Sequence, residues 1–194
     1  DSLAFEPIPI NLGDFSLVIV NSNKSRQLAE SAYNQRLKEC QEALEILQKS
    51  NPDLTDLVNA DLADLIQIED ATVRARAKHA VTEQQRVLHS VDALKHSNIE
   101  RFGQLLNESH ASLRYDYHVS CAELDFIVDF LQNSEACLGA RMTGAGFGGC
   151  CVSIIRKEAT DQLKQALILA YKKQFGFAPD VFTPELSAGV HQVN

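Results

Sequence analysis

The sequence predicts an α+β fold, with a mainly antiparallel sheet of about four strands, helices on one face, and a large helical insertion. Three observations predict it. The run FSLVIVN at 15–21 is short, β-branched and continuously apolar, as a buried strand requires. Two further short apolar runs, at 138–143 and 150–155, flank a glycine-rich loop. Between these regions, a block over about 25–133 repeats apolar residues at helical spacing.

The elements follow in order. Residues 1–13 read as a connector with Pro7, Pro9 and Gly13, although alternating Phe5, Ile8 and Ile10 leave an edge strand open. After the strand at 15–21, Ser22 and Ser25 are candidate helix caps. From 26 to 49, Leu28, Ala32, Leu37, Cys40, Ala43, Leu44 and Leu47 recur at helical spacing until Asn51, Pro52 and Asp53 end the run. Shorter helical patterns cover 54–68, and a long one runs over 71–94 through Val73, Ala77, Ala80, Val81, Leu88, Val91 and Leu94. Two more span 99–113, with Ile99, Phe102, Leu105, Leu106 and Leu113, and 121–131, with Leu124, Ile127, Val128 and Leu131. Beyond the second and third strands, a helix over 160–175 carries Leu163, Ala166, Leu167 and Ala170 and stops at Gly176. The tail offers short strands at 180–183 and 189–193.

At 194 residues, 45% hydrophobic and 23% charged, the chain has the composition of one globular domain, or one lobe of a larger enzyme, with a single substantial core. It opens on Asp1, Ser2 and Leu3 without Met, straight into material that reads as the middle of a fold, so a piece of a longer polypeptide is expected. The 26 Asp and Glu against 18 Lys and Arg give a formal net charge of −8, which opposes nonspecific attraction to nucleic acid or anionic membrane. Neither is an expected partner. Cys40, Cys121, Cys137, Cys150 and Cys151 form no CxxC pair, and an odd number cannot all pair within one chain. They read as reduced, mostly buried thiols of a cytoplasmic protein.

The stretch RMTGAGFGGCC at 141–151 places four of the nine glycines within six residues. Its GxGxxG pattern raises a dinucleotide turn, but that turn needs a helix directly after it and an acid about 20 residues on. Here a strand follows, and 165–170 holds no carboxylate. A Walker loop needs Lys followed by Ser or Thr after the last glycine, where this chain has Cys150 and Cys151. A protein-kinase lid would be followed by HRD and DFG motifs, which the remaining residues lack. Three physical readings stay open: backbone amides converging beside a phosphate, another backbone passing close to the bare loop, or a plain hairpin with unusual dihedrals. Phe147 reads as an apolar plug under any of them.

Six histidines include no HxxxH or HExxH pair, which argues against a metal site and for solvated helix histidines. Asp116 and His118, set among Tyr115 and Tyr117, fit either acid/base chemistry or a helix-to-helix corner held by tyrosine hydroxyls. Tyr33 sits beside the apolar stripe of its helix, at the boundary with solvent.

The loop and its neighbours carry a resemblance. LGARMTGAGFGGC at 138–150 closely resembles the third motif of galactokinases, in the GHMP kinase superfamily that also holds homoserine, mevalonate and phosphomevalonate kinases. VNSN at 20–23, AYNQR at 32–36 with Glu39 and Cys40, and ESHASLRYDY at 108–117 with SCAELD at 120–125 resemble galactokinases in the same order. The resemblance spans nearly the whole chain, 1–194, as a GHMP kinase C-terminal domain with a ferredoxin-like plait core.

That resemblance implies an ATP-dependent, Mg²⁺-assisted kinase of the cytoplasm that phosphorylates the anomeric hydroxyl of D-galactose. It also implies an absent N-terminal lobe carrying the sugar-binding cluster, the serine-rich phosphate loop, the metal-binding acid and the aspartate base. No catalytic or metal-binding residue is therefore expected in this chain, which alone should be inactive. Tyr33 falls on the family tyrosine whose hydroxyl contacts the sugar. Thr143, Gly144, Ala145, Gly146, Phe147, Gly148 and Gly149 map onto the active-site loop, with Ala145 where many relatives have glycine. Two related roles share this lobe: an N-acetylgalactosamine kinase, and a catalytically silent sugar sensor acting through protein partners.

Overall fold

The run Phe15–Asn21 forms strand β1 in a computed structural model that describes residues 6–25 and 29–185. Helices α1 (Ala29–Gln48), α2 (Ala71–Lys95), α3 (Ile99–Tyr115) and α4 (Ala122–Gln132) follow, then strands β2 (Cys137–Thr143) and β3 (Cys150–Arg156), helix α5 (Thr160–Phe175) and strand β4 (Asp180–Phe182). All strand pairs are antiparallel, in the order β2-β3-β1-β4. With helices crossing from β1 to β2 and from β3 to β4, this is the β-α-β-β-α-β plait. The continuous apolar character of β1 suits an inner strand, flanked by β3 and β4.

Side-chain alternation splits the sheet into two faces. Val18, Val20, Ala140, Met142, Cys151 and Ile155 meet Leu124, Ile127, Val128 and Leu131 of α4 and Leu167 and Tyr171 of α5 in the main core. Each Val, Leu, Ile or Met side chain among them contributes roughly 1.5–3 kcal/mol on burial. On the opposite face, Phe15, Leu17 and Ile154 pack with Leu12 and with Ile99, Phe102 and Leu106 of α3.

Helix α3 therefore wraps the outer edge of β2. There the Asn107 Oδ1 accepts the Ala140 amide proton at 2.8 Å, and the His110 Nδ1 accepts that of Met142 at 3.2 Å. These side chains supply the partners that a further strand would have given to the edge amides. The close approach depends on a pair of glycines, since a Cβ on Gly139 would stand 1.9 Å from the Gly103 carbonyl oxygen.

A second core joins α1 to α2 through Ala43, Leu47, Leu54, Leu57, Leu65, Ile68, Val73 and Ala77. The short helical patterns expected over 54–68 are two 3-10 turns, Leu57–Asn59 and Leu62–Gln67. Asp56 and Asp61 adopt extended backbones, and the Asp61 carboxylate takes the Ala63 amide at 2.9 Å. Short polar side chains here compete with helix continuation.

Ser22 is not a helix cap. It is buried, its amide donates to the Gly149 carbonyl at 2.8 Å, and its carbonyl accepts the Tyr171 hydroxyl at 2.7 Å. Asp70 and Asn98 cap α2 and α3 instead. Residues 6–14 form no strand, and Phe5, Leu28 and the 189–193 strand lie outside the described residues.

Candidate functional site

Strands β2 and β3 pair up to Thr143 opposite Cys150, and the loop 144–149 closes the hairpin. Five of its six residues have positive φ: Gly144 at 82°, Gly146 at 85°, Phe147 at 58°, Gly148 at 130° and Gly149 at 87°. Ala145 is the exception, so its methyl group sits without left-handed strain. The Phe147 amide donates to the Val119 carbonyl at 2.7 Å, and its ring packs on the main core as the expected plug. Gly146 faces the same carbonyl, where a Cβ would stand 2.2 Å from the oxygen. Among the described residues, the other five loop amides donate to no protein group. Amides set this way can face an anion.

The root of the loop is fixed from α2. Arg141 donates to Glu83 at 3.0 Å, and Glu83 also accepts from Arg86 at 2.7 Å and from the Ser109 hydroxyl at 2.5 Å. Burial pushes the Glu83 carboxyl up, but these donors outweigh it and hold the group below its ordinary range.

Val119 belongs to the segment between α3 and α4, which also carries Tyr117. The Tyr117 ring stacks on His79 at 4.4 Å, and the Cys40 Sγ lies 3.8 Å from its hydroxyl. Burial raises the Tyr117 pKa, and the neighbouring Cys40 adds to that rise. Tyr33 is 54% exposed on the first turns of α1. The 116–119 segment thus meets α1 through Tyr117 and Cys40, and the glycine loop through Val119.

Asp116 is the hub of this corner. Its carboxylate accepts from Lys78 at 3.0 Å and from the Ser112 hydroxyl at 3.0 Å, and that hydroxyl in turn meets the His79 Nδ1 at 3.0 Å. Arg76 donates to the Asp116 carbonyl oxygen. His118 is exposed, with φ of 55°. The corner reading is the one this geometry fits, with Asp116 in the part expected of tyrosine hydroxyls.

Two histidines depart from the solvated reading. His79 and His110 are buried; burial lowers the His79 pKa to about 4, and His110 serves the β2 edge. Sequence reasoning also missed the carboxylate of Glu39, which accepts from Arg36, from Arg76 at 2.8 Å and from Gln35 at 3.0 Å. Burial pushes this carboxyl up, yet Arg76, Arg36 and Gln35 bring it down to about 2. The available signal was Arg76, His79 and Glu83 at i, i+3 and i+7, one polar stripe on α2. Among the described residues, no three or more His, Cys, Asp or Glu side chains gather where a metal ion could sit. Nor is any helix among them long and apolar enough to cross a membrane.

A family model described as GHMP kinases C terminal matches residues 90–173, from the last turns of α2 into α5. By that match, residues 90–173 resemble a GHMP kinase C-terminal domain. Over its length the chain is similar to galactokinases. That of Halalkalibacterium halodurans is 42% identical over 98% of this chain and 49% of the relative. That of Clostridium perfringens is 42% identical over 97% of this chain and 50% of the relative. The crystal structure of Lactococcus lactis galactokinase complexed with galactose superposes with a TM-score of 0.89, at 37% identity, over 94% of this chain and 48% of that one. L. major mevalonate kinase, in complex with R-mevalonate, shares the fold at a TM-score of 0.52 and 20% identity. The chain spans about half the length of the curated relatives it matches.

Proposed function

We propose that this chain is the C-terminal lobe of an ATP-dependent galactokinase, which transfers the γ-phosphoryl group of ATP to the anomeric hydroxyl of D-galactose. The observation that carries the reading is the similarity, at a TM-score of 0.89 and 37% identity, to a galactokinase complexed with galactose. The tyrosine that the resemblance assigns to the sugar, Tyr33, is exposed, as a ligand contact must be.

Phosphoryl transfer depends mainly on positioning and electrostatic stabilisation. On this reading the Tyr33 hydroxyl hydrogen-bonds the sugar. The loop from Thr143 to Gly149 forms a wall of the transfer pocket, where a backbone bare of side chains admits close approach of phosphate and free amides face its charge. The aspartate base, the serine-rich phosphate loop and the metal-binding acid belong to the N-terminal lobe. Mg²⁺, when bound, neutralises phosphate charge; the described residues offer it no cluster of ligands. A cytoplasmic location agrees with five free cysteines.

The test uses the full-length polypeptide with ATP and Mg²⁺, supplied with galactose or N-acetylgalactosamine, and identifies the product by ³¹P NMR. Galactose 1-phosphate as the main product supports the reading. Preferential phosphorylation of N-acetylgalactosamine, or sugar binding with no turnover, overturns it.

A further inference from the structure

Between Tyr33 and Cys40, α1 has little apolar attachment. Tyr33, Asn34, Gln35, Leu37 and Lys38 are exposed, and the buried apolar residues of this helix begin at Ala43 and Leu47. The side chains that leave the surface in this stretch are Arg36, Glu39 and Cys40. Two turns of helix that carry the candidate sugar contact are thus joined to the fold mainly through one carboxylate.

That carboxylate has a specific partner. Arg76 is 4% exposed and donates through Nε to Glu39 at 2.8 Å, while another nitrogen of the same guanidinium donates to the Asp116 carbonyl. The rigid fork of arginine therefore fixes α1 relative to the segment carrying Tyr117 and Val119, and the latter holds the glycine loop. Arg36 is also bonded to Glu39, and its buried Nε has no hydrogen-bond partner among the described residues. A buried guanidinium with its carboxylate removed is an uncompensated charge, so the geometry of all three groups depends on Glu39.

We propose that Glu39 is a positioning residue for the sugar site: by bridging Arg36 to Arg76 it sets the rotation of the first turns of α1, and with it the place of the Tyr33 hydroxyl relative to the glycine loop. The inference rests on the reading of Tyr33 as the sugar contact. Glu39 touches neither substrate; it acts through Tyr33.

A double-mutant cycle in the full-length polypeptide tests this, using Glu39→Gln, Tyr33→Phe and both together, with the KM of each substrate and kcat measured. Glu39→Gln should raise the galactose KM by about 5-fold to 10-fold and leave the ATP KM within about 2-fold. In the Tyr33→Phe background the same change should add less than about 2-fold, because the contact it positions is already gone. Should Glu39→Gln not fold, Arg36→Lys keeps the charge but loses the fork, and should shift the galactose KM in the same direction. Effects that multiply independently, or equal shifts in both KM values, overturn the positioning role alone. An unchanged galactose KM in Tyr33→Phe overturns the sugar contact and this role with it.

Discussion

The Val119 carbonyl oxygen accepts the Phe147 amide proton at 2.7 Å, which ties the glycine-rich loop to the corner that also carries Tyr117. Gly146 fits beneath the same oxygen at a φ of 85°. We predict that Gly146→Ala destabilises the full-length polypeptide by about 1–3 kcal/mol and lowers kcat, because the new Cβ must displace either the loop or Val119. Ala145→Gly, at a position without positive φ, should cost no more than about 1 kcal/mol. Chemical denaturation of both variants checks the pair; equal losses would contradict the loop geometry.

The contact of α3 with β2 depends on two glycines in backbone contact. Gly139→Ala places a Cβ 1.9 Å from the Gly103 carbonyl oxygen, with no flexible side chain to give way. The expected result is a loss of about 3 kcal/mol or more, or failure to accumulate as folded protein. A melting temperature within a degree or two of wild type would show that α3 does not sit as described.

At the edge of β2, Asn107→Ala removes the acceptor of the Ala140 amide. A buried donor left without a partner costs about 1–3 kcal/mol, so urea midpoints should fall accordingly. Asn107→Asp keeps the acceptor and should lose less. The reverse ranking would argue against the hydrogen bond.

His79 yields a pH dependence with a definite sign. Its pKa is lowered from 6.5 to about 4 by burial, so below pH 6.5 the unfolded chain takes up a proton that the folded one refuses. This group's contribution is full above pH 6.5 and declines as pH falls toward 4. His79→Asn should show a shallower loss of stability over that interval, measured by denaturation at several pH values. Identical slopes would mean that His79 is not held neutral.

The strands and most helices were legible because their signals are local. The β-branched run at Phe15–Asn21, the strand that follows the glycine loop, and Gly176 at the end of α5 with a φ of 84° each declare themselves within a few residues. The short helical patterns at 54–68 were legible but their 3-10 type was not, because apolar spacing over so few residues does not separate 3-10 from α turns. The supports of the site were hidden for a related reason. Arg76, His79 and Glu83 lie at helical spacing as a solvated face would, and only partners far along the chain, at Glu39, Ser112 and Arg141, show that they point inward. Ser22 resembled a cap because it follows a strand and precedes a helix, whereas its partners Gly149 and Tyr171 are distant in sequence.

On the proposed function, Tyr33 is the sugar-contacting tyrosine of a galactose-phosphorylating enzyme. The most direct measurement is the steady-state rate of galactose-dependent ADP release by the full-length polypeptide, wild type against Tyr33→Phe. Loss of one neutral hydrogen bond is worth about 0.5–1.5 kcal/mol, which predicts robust wild-type turnover and a galactose KM raised about 2-fold to 13-fold in the variant, with the ATP KM unchanged. Absence of galactose-dependent ADP release in the wild type, or an unaltered galactose KM in Tyr33→Phe, would contradict the account.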